Sequence, residues 1–223
     1  MELALHDMLL DRSGGNRQFA RYHLSRIAPM DFAAFYHTAL ADVATEAKAL
    51  YALSEIAPDE AHLAAEARLA STSRAVLKAA LGTLSSEHLY RHRELLIRSI
   101  DSNVPGVAKI AGKRLFEIRR LLGIDLVERP ELWSEFSETM KRQAIRMATG
   151  FQKWDGLEFL IVTSNYQQFL EDVILTLEQW LQKERRVHAK LAPARYTKLQ
   201  NRLLESQLPT NMIKQLDFVM SHN

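Results

Sequence analysis

Helical periodicity runs through almost the whole of this 223-residue chain and restricts its fold more than any other feature. Apolar residues recur at three- and four-residue spacing, which places them on one face of a helix. Glycines and prolines that end helices separate these stretches, for example Gly14, Pro29 and Pro58. Residues 159–163 have the β-branched character of a strand, but one strand cannot form a sheet. We therefore predict an all-α fold, a compact bundle of about nine or ten helices with more than about two-thirds of the residues helical.

Two of the predicted helices are long. The first covers about residues 31–56, with Asp31 in the position of an N-terminal cap. The second covers about residues 157–191, and most of its circumference is apolar, so neighbouring helices must cover it on several sides. We predict that it is the central element of the core. The core residues predicted on it are Val162, Tyr166, Phe169, Leu170, Val173, Ile174, Leu177 and Trp180.

Glycine and proline also set the expected boundaries of the middle helices. We predict that one helix ends at Gly123, because glycine commonly follows the last helical turn. The next helix is predicted to begin at Pro130, since proline is favoured in a first helical turn. Asp155 and Gly156 are then predicted to form a turn.

A segment in the middle of the chain resembles a known repeat unit. Residues 94–102 and 107–111 are two helical stretches joined through Val104-Pro105-Gly106, with Asp101 between them. The segment is similar to a single helical hairpin of the HEAT type. The resemblance covers about 30 residues and no second copy follows at constant spacing, so it implies a HEAT-like hairpin within the bundle and not a solenoid.

The distribution of turn-forming residues favours one continuous body. No stretch rich in proline, glycine or serine is long enough to be a linker. We predict a single all-α domain over residues 1–223. A division into sub-lobes 1–82 and 83–223 is the alternative.

Composition restricts the compartment and the chemistry. The chain has no cysteine, which excludes disulfides, thiolate catalysis and cysteine-ligated metal sites. Its first residues lack the basic region and apolar run of a signal peptide. The most apolar long stretch, residues 157–181, contains several acidic residues that a bilayer would not tolerate. We expect a cytoplasmic protein without membrane association.

Histidines and carboxylates occur in three short-range groups. These are His88 with His92, Asp59 with His62 and Glu66, and Glu184 with His188. Two-ligand spacing constrains a metal site weakly, and no HExxH pattern or paired Glu-x-x-His element accompanies it. Surface histidines with local ion pairs, such as Glu87 with Arg91, are the preferred interpretation. We predict no metal site and no cofactor.

One short pattern is typical of a nuclease. Arg17 and His23 stand six residues apart on a predicted helix. This spacing resembles the Arg-x(4–6)-His motif of helical HEPN ribonucleases, which implies that Arg17 would hold a phosphate and His23 would transfer a proton. The alternative is that both lie on the solvated side of an amphipathic helix. We predict no catalytic residue and keep a HEPN-like ribonuclease as the third hypothesis.

Charge is distributed unevenly although the net charge is only +2. Residues 183–202 hold seven basic residues and one acid, whereas residues 125–138 hold five acids and one arginine. Such polarity favours charged partners. Two helical faces could contact phosphates, with an aromatic ring available to stack on a base. The candidate nucleic-acid-binding residues are Lys109, Lys113, Phe116, Arg120, Arg185, Arg186, Lys190, Arg195, Lys198 and Arg202.

These observations favour one functional class over two others. We expect a non-enzymatic α-helical interaction protein, an adaptor, scaffold or complex subunit that binds protein partners. The alternative is a nucleic-acid-binding protein that uses its basic helical faces. The preference follows from the small net charge, which is too low to indicate nucleic acid by itself.

Overall fold

The computed structural model describes residues 2–104, 106–184 and 189–222, and 75% of the structure is helical. The predicted helical content is therefore confirmed. The described residues form sixteen α-helices and two short 3₁₀ turns, without a strand. The all-α class is confirmed, whereas the predicted nine or ten helices are too few. Within these same ranges, no helix has both the length and the apolar character needed to span a membrane.

The chain divides into two compact units, Met1–Arg114 and Leu115–Asn223. The N-terminal unit is built from nine helices of its described residues, the last of which runs across the division. They are α1 Glu2–Met8, α2 Gly14–Ile27, α3 Phe32–Ala39, α4 Glu46–Ser54, α5 Pro58–Glu66, α6 Arg74–Thr83, α7 Ser86–Arg91, α8 Arg93–Ser99 and α9 Val107–Glu117.

Side-chain caps fix the start of several of these helices. The Asp31 carboxylate accepts a hydrogen bond from the backbone N–H of Ala34, at 3.0 Å, as predicted for the start of α3. Ser85 Oγ accepts from the N–H of His88 at the start of α7. Each cap satisfies one of the backbone donors that a first helical turn leaves without a partner.

The centre of the N-terminal unit is α4, which packs against α3, α5 and α6. Its residues Ala49, Leu50, Ala52 and Leu53 are fully buried. The predicted helix over residues 31–56 is wrong as a single element, because α3 ends at Ala39 and α4 begins at Glu46. Hydrogen bonds from Thr45 Oγ1 to the Ala39 carbonyl, and from the Ala44 N–H to Asp42, compete with the helical ladder between them.

The C-terminal unit contains the remaining seven helices of the described residues. They are α10 Arg119–Glu128, α11 Leu132–Glu135, α12 Glu138–Met147, α13 Lys153–Thr163, α14 Leu170–Glu184, α15 Pro193–Leu204 and α16 Thr210–Ser221. Helix α13 is buried on nearly all sides and packs against α10, α14 and α15. Helix α13 begins at Lys153, four residues before the predicted start at Leu157, and of the predicted core residues it contains only Val162, which is half-buried.

The predicted continuous helix over residues 157–191 is wrong. Helix α13 ends at Thr163, a 3₁₀ turn occupies Gln167–Phe169, and α14 then begins. The buried Ser164 donates its hydroxyl to the Ile161 carbonyl, which stabilises the end of α13. Tyr166 lies in this break and is exposed, contrary to the core prediction, whereas Phe169 is buried. Residues 185–188 lie outside the described residues.

Two glycines interpreted as helix ends are helical instead. Gly123 lies inside α10, where an added Cβ would be 2.6 Å from Cγ of Phe151. Gly156, with Asp155, lies inside α13, where an added Cβ would be 2.5 Å from the Ala148 carbonyl oxygen. Both predictions were wrong for one reason. These glycines allow close packing of chain segments, which leaves the same sequence signal as a turn.

In the segment that resembles a HEAT hairpin, residues 94–102 begin in α8, which ends at Ser99, and residues 107–111 lie in α9. Short breaks flank these two helices, at His92 before α8 and at Ile118 after α9. His92 and Ile118 have backbone angles outside the helical range, with ψ of 23° and 11°. The middle of the chain therefore consists of short helices.

Candidate functional site

The outward face of α2 carries a stripe of exposed aromatic and apolar residues. Phe19 and Tyr22 are each 51% exposed, and Ile27 is 49% exposed. With His23 and Arg26 they occupy positions 19, 22, 23, 26 and 27, which fall on one helical face. We call these five residues the α2 stripe.

Ring contacts join the members of the α2 stripe. The His23 ring centroid lies 4.2 Å from that of Phe19 and 5.2 Å from that of Tyr22. The Arg26 guanidinium carbon lies 4.3 Å from the centre of the Tyr22 ring. The stripe is therefore one continuous patch that extends over more than two helical turns.

The opposite face of α2 is held by buried side chains and by the carboxylate of Glu55, the residue that follows α4. Arg17 is only 6% exposed, and its Nε lies 3.2 Å from Glu55 Oε2. Arg21 Nη2 lies 2.9 Å from the same oxygen, and Arg21 Nη1 donates to the Tyr36 hydroxyl at 3.1 Å. Because these bonds fix α2 against α3 and α4, the α2 stripe is presented in one orientation.

The two arginines also change the titration of their partners. Partial burial opposes the ionisation of Glu55, but hydrogen bonds and charge from Arg17 and Arg21 outweigh it and lower the pKa of Glu55. Burial raises the pKa of the Tyr36 hydroxyl, against the influence of Arg21. Glu55 is therefore a carboxylate and Tyr36 a neutral phenol at neutral pH.

Two of the three arginines of α2 lie close to carboxylates. Arg17 and Arg21 bond Glu55, and Arg17 also interacts with the charge of Asp11, so the three arginines exceed these two carboxylates by one positive charge. Arg26 makes no ion pair with any described residue. The α2 stripe thus combines an apolar surface with an uncompensated cation at its C-terminal end.

The same geometry bears on the ribonuclease hypothesis. An arginine that holds a scissile phosphate must offer its guanidinium to the substrate. Arg17 instead bonds Glu55 and the backbone carbonyl of Asp11, with its side chain almost fully buried. Arg17 therefore fixes α2 within its unit, and its guanidinium is not presented to a substrate phosphate.

The candidate residues near the middle of the chain are exposed. Lys109 and Lys113 are exposed on α9, and Arg120 is exposed on α10, which begins after the break at Ile118. We call these three residues the α9–α10 cations. Phe116 is 49% exposed, and the Arg119 guanidinium lies 4.1 Å from the centre of its ring. One face of the ring predicted to stack on a base is therefore covered by an arginine of the same unit.

The second basic row is neutralised from within the C-terminal unit. Lys198 Nζ lies 2.8 Å from Glu158 Oε1, and Arg195 Nη2 lies 3.2 Å from Glu158 Oε2. Arg202 bonds Glu158 as well, and Arg195 also pairs with Asp155. We call these five residues the Glu158 cluster. Sequence reasoning grouped the three cations correctly on one face, but it missed the carboxylates that they contact.

Three of the candidate nucleic-acid-binding residues remain, Arg185, Arg186 and Lys190. Lys190 is exposed and makes no ion pair with a described residue. Arg185 and Arg186 lie outside the described residues, as does His188. The basic residues predicted as one set are therefore separated into exposed cations and cations engaged in ion pairs.

The histidine and carboxylate groups form local pairs. Arg91 Nη2 lies 2.5 Å from Glu87 Oε1, which is the predicted ion pair. His92 Nε2 lies 3.1 Å from Glu66 Oε1, a contact between residues that belong to two different short-range groups in the sequence. The His62 and His88 ring centroids are 4.7 Å apart. Within the described ranges, no three histidine, aspartate or glutamate side chains are arranged to hold a metal ion.

The α2 stripe was absent from the predicted site residues, although a signal for it exists in the sequence. Ala20 and Leu24 form one apolar face of α2, and positions 19, 22, 23 and 27 form a second, aromatic and apolar face. Only one of these faces can be covered by its own unit. No model of a known protein family matches the chain, and no curated protein is significantly similar to it. The α2 stripe and the Glu158 cluster are therefore interpreted from their own geometry and charge.

Proposed function

We propose that this protein is a non-enzymatic α-helical interaction protein, an adaptor, scaffold or complex subunit, and that it binds its protein partner through the α2 stripe. The observation that carries the proposal is the continuous exposed patch formed by Phe19, Tyr22, His23, Arg26 and Ile27. Aromatic residues and arginine are enriched at the centres of protein interfaces. A cytoplasmic location belongs to the same proposal, on the ground that the chain has no cysteine.

The charge of α2 identifies the kind of partner. The arginines of the helix exceed the nearby carboxylates Glu55 and Asp11 by one positive charge, and Arg26 lies at the end of the stripe without a carboxylate among the described residues. A partner that carries carboxylates beside its apolar anchors is complementary to this arrangement. The helical spacing of the stripe matches the anchors of an amphipathic helix. We therefore specify the partner as an acidic amphipathic helical segment of another protein.

Nucleic-acid binding remains the alternative, with weaker support. Three of the ten residues assigned to it, Arg195, Lys198 and Arg202, bond Glu158 and contribute little free charge. The uncompensated cations of the described set are the α9–α10 cations and Lys190. No contact in the structure favours phosphate over protein carboxylate as their ligand.

Selection from a display library of random peptides with helical patterning tests the proposal. We expect enrichment of peptides that have apolar residues at three- and four-residue spacing and an excess of Asp and Glu. An enriched peptide should bind the wild-type protein at least about tenfold more tightly than the Phe19→Ala/Tyr22→Ala variant. Replacing its acidic residues by lysine should weaken binding by a similar factor, because Arg26 and the excess charge of α2 would then repel it.

Leu63→Ala is the matched control, since Leu63 is an exposed leucine of the same unit on α5 and lies outside the α2 stripe. It should leave peptide binding unchanged. Equal enrichment on the wild-type protein and the Phe19→Ala/Tyr22→Ala variant would contradict the proposal. Self-association of the wild type that the same variant abolishes, measured by sedimentation, would make a second copy the occupant and would contradict the acidic partner.

A further inference from the structure

The C-terminal unit contains an aromatic cleft between α10, α13 and the start of α11. The enclosed part has a volume of about 60 Å³. Its walls are mainly apolar, and Glu158, Thr163 and Arg202 provide the polar groups. The apolar lining residues are Leu126, Val127, Pro130, Trp133, Phe159, Val162 and Tyr166. A small apolar space with a few polar groups at its edge is the usual form of a ligand site.

Trp133, which lines the cleft, has an unused hydrogen-bond donor. Its side chain is 94% buried, as only 6% of the residue is exposed, and its Nε1 has no hydrogen-bond partner among the described residues. The indole contacts Phe159 and Phe169 edge to face, with centroid distances of 5.5 and 5.6 Å. A buried N–H without an acceptor is costly, so an acceptor supplied by a ligand would be favourable.

Arg202 gives the cleft a guanidinium. It shares the Glu158 carboxylate with Arg195 and Lys198. Arg202 lines the cleft and uses one of its five N–H groups on Glu158. Its remaining donors suit the planar oxygens of a carboxylate, which arginine binds in a bidentate manner.

We propose that this cleft binds a small monocarboxylate with a compact apolar group. The carboxylate bonds Arg202 and accepts from the indole N–H of Trp133, and the apolar group lies against Phe159 and Val162. Arg202 offsets Glu158 for one carboxylate, but a second carboxylate on the ligand would be repelled by Glu158. The site lies within the C-terminal unit and does not depend on the interaction proposed for the α2 stripe.

Nuclear magnetic resonance of the indole N–H groups tests the site directly. The protein has three tryptophans, and a Trp133→Phe variant assigns the Trp133 cross-peak. We expect isovalerate to shift that cross-peak saturably. Isovaleramide has the same shape without the charge, and it should bind at least about tenfold more weakly. Absence of a saturable shift with isovalerate, or equal affinity for the amide, would overturn the proposal with the wild-type protein alone.

Two substitutions in the Glu158 cluster separate binding from folding. Arg202→Gln should abolish the preference for isovalerate over isovaleramide. Lys198→Gln removes a cation from the same Glu158 oxygen, but Lys198 lines a neighbouring, more open cavity and not the aromatic cleft. It should keep the preference. An equal loss in both variants would assign the effect to the stability of the cluster and would overturn the role of Arg202.

Discussion

Lys198 Nζ lies 2.8 Å from Oε1 of Glu158, and this contact joins α15 to the most buried helix of the C-terminal unit. Glu158 is 1% exposed, and it also bonds Arg195 and Arg202. A carboxylate at such a position is tolerated only when cations and hydrogen bonds replace its water. The basic row of α15 therefore holds that helix against α13.

Loss of the Glu158 carboxylate should lower the free energy of unfolding more than loss of Lys198 alone. Glu158→Gln removes the common partner of Arg195, Lys198 and Arg202, and we expect it to cost about 1–3 kcal/mol. Lys198→Gln leaves Glu158 with two arginines, and the lysine is half exposed, so the loss should stay within about 1 kcal/mol. Thermal denaturation of the two variants measures the difference. Equal losses of stability in the two variants would mean that Arg195 and Arg202 cannot stabilise the Glu158 carboxylate without Lys198.

Acid should destabilise the N-terminal unit through Glu55. Its pKa is lowered in the folded protein from the ordinary value of 4.5, because Arg17 and Arg21 outweigh the effect of partial burial. The stabilisation is therefore complete above that value and is lost as the pH falls through the lowered pKa. Glu55→Gln removes this contribution and leaves Arg17 buried without its carboxylate, at a cost of about 3 kcal/mol.

Denaturant unfolding between neutral pH and pH 3 measures this effect. The difference in stability between wild type and Glu55→Gln should be constant at neutral pH and should shrink in acid. A difference that does not change over this range would show that Glu55 has the same pKa in the folded and unfolded protein.

The sequence predicts the class of the fold because the apolar spacing repeats throughout the chain. The caps at Asp31 and Ser85 and the start of α15 at Pro193 follow from local chemistry, and the structure has them at these positions. Burial of Phe169 and Trp180 also follows from local patterning. These features depend on residues within one or two helical turns.

The helix breaks and the site contacts depend on residues far apart in sequence. Gly123 was interpreted as a helix end because its role, contact with Phe151, involves a residue on another segment. Glu158 lies 44 residues from Arg202, and Glu55 lies 38 residues from Arg17, so neither pair can be read from spacing. The α2 stripe was missed because a helical pattern alone does not indicate which of two apolar faces packs against the neighbouring helices.

Phe169 should be a structural residue of the C-terminal unit. It is 2% exposed and contacts the ring of Trp133, so Phe169→Ala leaves a cavity and should cost about 3–5 kcal/mol. Phe218 is the matched control, because it is 62% exposed on α16 of the same unit. Phe218→Ala should change stability by less than about 0.5 kcal/mol. Urea denaturation compares the two, and a loss below about 1 kcal/mol for Phe169→Ala would place that ring at the surface.

Binding to DNA and RNA over a salt series distinguishes the two functional hypotheses. The α9–α10 cations supply about three phosphate contacts, which give a slope of about −2.7 in the logarithm of affinity against the logarithm of salt concentration. Any such binding should therefore weaken about 40-fold between 50 and 200 mM salt. We expect no binding at the higher concentration, because the row on α15 is already occupied by Glu158.

Substitution of the two sets of cations completes this test. Changing the α9–α10 cations to glutamine should reduce the slope of the logarithm of affinity against the logarithm of salt concentration by about three released counterions. Changing Arg195 to glutamine should leave that slope unaltered. Phe116→Ala should cost about 1–3 kcal/mol on single strands without changing the slope, if its ring stacks on a base despite Arg119. Tight binding at 200 mM salt that depends on Arg195 would mean that phosphates displace the carboxylates of the Glu158 cluster, and nucleic-acid binding would then replace the α2 stripe as the best-supported function.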